Sequence, residues 1–270
     1  MLDIMRYQFR TMLRKSVVHI LNICLLGTGT LMMFFDSFNA EEGEPILKAT
    51  EYMPKTLPIL MALAMFGATC LATMVAGDDF LDKTINHELS AGRRRYISYF
   101  GRAIPSLIAA PLCATALYVL PYVIYGIAFG WGDTLPTGDL VLRVVLGLFP
   151  LIRVTAFCVM ILFLFKNPMV ACMTTMGVPM LGMAVQMGAT SLPFLKIAAE
   201  SKHWLLSPID FTHLGEFSSW YTYNLNMEQF YTYDTSLDPT GAALTVIVSV
   251  VMTAVYLLIG YHFFHVDDMN

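Results

Sequence analysis

Few residues in this chain are spaced for chemistry. His87 and Glu88 stand together in "HELSA", which opens like a zinc-protease helix but lacks the second His of the motif. Near the end, "HFFHVDD" sets His262 and His265 three residues apart and close to Asp267 and Asp268. That set could hold a metal, but a solvated helix end is the plainer reading. No GxxxxGK(S/T) phosphate loop and no GxSxG nucleophile elbow is present, so the sequence offers no catalytic motif of its own. The five cysteines, Cys24, Cys70, Cys113, Cys158 and Cys172, all fall inside apolar stretches and form no CxxC pair. They read as small buried hydrophobes, neither a disulfide framework nor a metal site. Every acidic residue lies in a loop or at the edge of an apolar block, which argues against a relay of buried carboxylates.

The densest charge lies in "DDFLDKTINHELSAGRRRYISYFGRAIP", Asp78 to Pro105. Ile85 and Leu89 lie four residues apart among polar neighbours, predicting a turn and a half of amphipathic helix. Gly92 supplies its stop, and Arg93, Arg94 and Arg95 follow. Tyr96, Tyr99 and Phe100 then bring the chain back to an interface. A short helix of this kind can press on a soluble partner. The simpler alternative is a loop whose basic residues only set topology.

The elements around this stretch follow from hydropathy. Of 270 residues, 57% are hydrophobic and only 13% charged, and mean hydropathy is +0.63. A soluble domain carries about a quarter charged residues, so the bilayer is the solvent here. A window of about nineteen residues gives six candidate spans, near 16–35, 56–77, 103–130, 140–165, 168–190 and 241–264. The expected fold is an all-α polytopic membrane protein, a single membrane domain over 1–270 with six transmembrane helices and an N-terminal amphipathic interfacial helix. Pro105, Pro111 and Pro121 predict a kinked third span. The opening block superficially resembles a signal peptide, but Phe38 in "SFNA" stands where a small residue is wanted, so it is taken as a retained anchor. Most Lys and Arg fall in the N-terminal segment, the 78–102 loop and the 166–167 turn. The opposite loops hold Lys48, Lys55, Lys196 and Lys202, with Arg143 near a span end. The positive-inside rule then places both termini in the cytoplasm.

Within residues 1–15, Arg6, Arg10 and Arg14 recur every four residues while Leu2, Met5, Phe9, Met12 and Leu13 populate another face. That pattern predicts a helix lying on the cytoplasmic interface, against anionic lipid; a basic flank that only sets topology is the alternative. The 191–240 segment is crowded with aromatic rings, from Trp204 to Tyr233, and is expected to rest on the outer leaflet or to form a small cap. In the fifth span, Met169, Met173, Met176, Met180, Met183 and Met187 form one helical stripe. It could line a path for varied apolar cargo, or be ordinary packing or a lipid-facing surface. Arg153 lies about 20 Å along a helix from the end of its span. It either faces water, bonds within the bundle, or marks a span that starts later than drawn.

The "KTINHELSAGRRRYISYFGRAI" loop resembles that of bacterial ABC-2 type transporter permeases, with their "gTi..kLs.G.sR..y..gk.i" pattern. The opening "LDIMRYQFRTMLRKS" is similar to their connecting helix, and "YLLIGYHFFHVDD" resembles their final span, although His265 and Val266 stand where basic residues are usual. The resemblance implies a bacterial plasma-membrane exporter subunit that pairs with a second permease and binds cytoplasmic ABC ATPase subunits, with ATP and Mg on the ATPase. It implies no enzyme activity in this chain, no bound cofactor or metal, and no nucleic-acid partner. It makes the loop after span two a coupling helix, with Lys83, Glu88, Arg93, Arg94 and Arg95 facing the ATPase. It also makes spans two and five the lining of the central path, with Met173, Met176, Met180 and Met183 as candidate path residues; Arg153 of span four is a further candidate by its depth alone.

Overall fold

The computed structural model describes residues 1–38, 48–132, 137–177 and 239–266. Every regular element among them is helical: α1 (Leu2–Arg14), α2 (Ser16–Phe38), α3 (Ala49–Ala76), α4 (Asp78–Leu81), α5 (Thr84–Ser90), α6 (Arg95–Phe129), α7 (Thr137–Phe165), α8 (168–177) and α9 (Pro239–Val266). Four of them, over Ser16–Phe35, Arg95–Phe129, Gly138–Phe165 and Thr245–Val266, are long and apolar enough to cross a membrane, the mark of a helical membrane protein. The second expected span is the 28-residue helix α3, whose apolar described stretch runs Leu60–Ala76. Of the fifth, only α8 is described. Met180, Met183, Met187 and the aromatic 191–238 segment lie outside the described residues.

Small side chains let the helices meet. A Cβ added at Gly67 on α3 would stand 2.5 Å from Leu117 on α6, and Ala64, Ala68 and Ala72 beside it are fully buried. At Gly260 on α9, an added Cβ would meet the Tyr99 hydroxyl at 2.6 Å and the Met160 backbone at 3.2 Å, so α9 lies close on α7. Hydroxyls that would be orphaned in lipid bond back one turn: Thr69 to the Met65 carbonyl, Thr155 to Leu151, Thr115 to Pro111. The first amides of α3 are met from outside, where Ala49 and Thr50 donate to the carbonyls of Gly130 and Trp131. The expected tight turn at 166–167 is present. Lys166 is in the left-handed region, and the Asn167 carboxamide oxygen caps α8 by accepting from the Met169 and Val170 amides.

α6 starts eight residues ahead of the hydropathy window. Its 35 residues span about 52 Å, well beyond an apolar layer of about 30 Å. All three prolines lie inside this one helix. The early start is a packing effect: Ser98 and Arg102 in the first turns of α6 are buried and bonded to α4 and α5, and Arg95 bonds to α9, so the charge that ends a hydropathy window does not end the helix.

Candidate functional site

α4 and α5 hang between the end of α3 and the start of α6. Lys83, with φ +54°, turns the chain from one short helix into the next. α5 is held by its apolar face: Ile85 is 1% exposed and packs in a cluster with Tyr99, Ala103, Val159, Phe163 and Phe264. Its end is a Schellman motif. Gly92 has φ +83°, its amide bonds to the Leu89 carbonyl, and the Arg93 amide reaches back to Glu88. The glycine stop and the Ile85/Leu89 face are thus where periodicity placed them.

Behind α5 lies a buried polar network. Arg102 on α6 is 1% exposed. Its Nε donates to Asp79 Oδ2 of α4 at 2.5 Å, and its Nη1 donates to Glu88 Oε2 of α5 at 3.1 Å and to Ser98 Oγ at 2.6 Å. Gln8 of α1 donates its amide to the same Asp79 oxygen at 2.6 Å, and the Ser98 hydroxyl donates to Glu88 at 3.1 Å. Three helices therefore meet on one guanidinium, whose planar fork can serve two carboxylates at once, and α1 joins them through Asp79. Arg93 reaches Glu88 Oε1 at 3.4 Å, and Lys15 pairs with Asp78. Lys15, Arg93 and Arg102 thus face Asp78, Asp79 and Glu88, so the charges balance and the burial cost is offset. Burial lowers the Lys15 ammonium below the ordinary lysine value, opposed by the charges of Asp79 and Asp82.

The arginine triplet is divided. Arg93 and Arg94 are exposed, as are Lys83 and His87. Arg95 turns inward, its Nη1 donating to the carbonyls of Phe264 and His265 at the end of α9, where a cation also complements the helix dipole. Tyr99 adds a hydroxyl bond to the Leu257 carbonyl at 3.0 Å. Of the residues expected to face a partner, Lys83, Arg93 and Arg94 do face outward, whereas Glu88 and Arg95 make internal bonds. Asp79, Ser98, Arg102 and Gln8 were not singled out by sequence. Their local signal is the four-residue spacing of Ser98 and Arg102; every other bond joins distant segments.

The expected path residues that are described differ in their surroundings. Met169 and Met173 are 69% and 64% exposed on α8, while Met176 packs against the α3, α6 and α7 core. Arg153 is 2% exposed within α7, a helix that begins at Thr137. Among the described residues, no cluster of three or more His, Cys, Asp or Glu side chains is placed to hold a metal ion. No family model matches the chain, and no curated protein matches it.

Proposed function

We propose that this chain is the membrane subunit of an ABC-2 type exporter with six spans and an N-terminal interfacial helix. It would sit in a bacterial plasma membrane with both termini in the cytoplasm. The observation that carries the reading is α5: a short helix, stopped by Gly92 and braced from behind by Arg102, with Lys83, His87, Arg93 and Arg94 on its open side. A brace of this kind suits a surface that must receive force without folding away. The sequence resemblance supplies the partner, a cytoplasmic ATPase carrying ATP and Mg, and a second permease beside it. The cargo is amphipathic or apolar: a peptide, an antimicrobial or a lipid-like drug. The exposed methionines of α8 offer a surface for it. On α1, Ile4, Gln8 and Met12 face the protein while Leu2, Leu13, Arg6, Arg10 and Arg14 stay open, a division that suits a helix lying on anionic lipid.

The test is a pull-down of the tagged protein from its native membrane, assayed for Mg-ATP hydrolysis, with Arg93→Glu/Arg94→Glu as the comparison. A separate P-loop ATPase should come down with the native chain and be lost from the variant. If the chain comes down with a soluble partner that hydrolyses no nucleotide, the exporter reading fails and a recruiting scaffold replaces it.

A further inference from the structure

Two thiols that are far apart in sequence meet inside the bundle. Cys70 on α3 and Cys172 on α8, 102 positions apart, have Sγ atoms 3.8 Å from each other, and both are partly exposed. The helices that carry them are pinned nearby. A Cβ added at Gly77, just past α3, would stand 2.7 Å from Pro168 at the start of α8. The neighbouring Cys158 of α7 is buried, with its thiol directed to the Thr69 carbonyl at 3.8 Å.

We infer that Cys70 and Cys172 form a peroxide-oxidisable dithiol that closes to a disulfide and ties α3 to α8. One thiol, as its thiolate, attacks a peroxide oxygen; the O–O bond breaks, a sulfenic acid forms and one water is released. The second thiol attacks that sulfur, the S–S bond forms, and the sulfenic hydroxyl leaves as a second water. Two thiols are oxidised and one hydrogen peroxide is reduced to two waters, with no further reactant. Reaching a disulfide length of about 2.05 Å asks for an approach of about 1.8 Å, on the scale of a side-chain rotation. A small thiol reverses the bond by exchange. While it is closed, no rearrangement can part α3 from α8 at this level, close to the end of the bundle that carries α4 and α5.

The test uses the whole native-sequence protein in its membrane, exposed to hydrogen peroxide, then alkylated and digested without reductant. Alkylatable thiols should fall from five to three, with a Cys70–Cys172 cross-linked peptide that disappears after dithiothreitol. Cys172→Ser should yield no such peptide. A chain with Cys24→Ser, Cys113→Ser and Cys158→Ala should cross-link as the native one does. Five thiols still alkylatable, a different pair joined, or sulfinic acid at Cys172 without a cross-link would each overturn the inference.

Discussion

Two sets of charges lie within one stretch of chain and have opposite fates. Asp79, Glu88, Arg95 and Arg102 turn into the protein and join α1, α4, α5, α6 and α9 at one end of the bundle. Lys83, Arg93 and Arg94, a few residues away, stay open. The inward set shows what a charge does once removed from water: it needs a partner within hydrogen-bond reach, and it then fixes the elements that supply that partner. The outward set is left free of that duty. Arg93 touches both worlds, exposed yet 3.4 Å from Glu88.

Breaking the inward set should cost most. Arg102→Met leaves Asp79 and Glu88 without their shared cation, and a loss of about 3–5 kcal/mol is expected, read as a lowered unfolding midpoint in detergent. Adding Asp79→Asn to it should cost less than the two single losses combined, because the partners act as a unit. A shift too small to resolve for Arg102→Met would deny the network its structural role.

Gly92→Ala tests the stop of α5. An alanine held at φ +83° should lose about 1–2 kcal/mol, and hydrogen exchange should quicken at the Gly92 and Arg93 amides while α7 is unchanged. Arg95→Ala should cost about 1 kcal/mol, with faster exchange confined to the last turn of α9. At the small end, Arg94→Glu should leave the unfolding midpoint where it was, since the side chain is exposed. Under the proposed function its effect is on ATPase co-purification, so a stability loss there would blur the division between the two sets.

Much of the fold was legible because it rests on local sums. Apolar runs marked where α2, α7 and α9 lie, and Lys166–Asn167 marked the turn before α8. The beginning of α6 was not legible, because Arg102 stops a hydropathy window while its partners keep the helix going. The candidate site was half legible. Ile85, Leu89 and Gly92 announce a short capped helix by spacing alone. The brace behind it is silent in sequence, since Gln8 and Asp79 are 71 positions apart and Asp79 and Arg102 are 23 apart.

The sequence by itself therefore determined a helical membrane protein with a short, glycine-stopped helix in its most charged loop. These follow from hydropathy, period and backbone freedom, all of which act within a few residues. Only the tertiary structure decided which arginine of "RRR" caps a distant helix, which carboxylates share Arg102, and which two of five thiols touch. Each of those outcomes depends on contacts of a few ångströms between segments that no window along the chain can bring together.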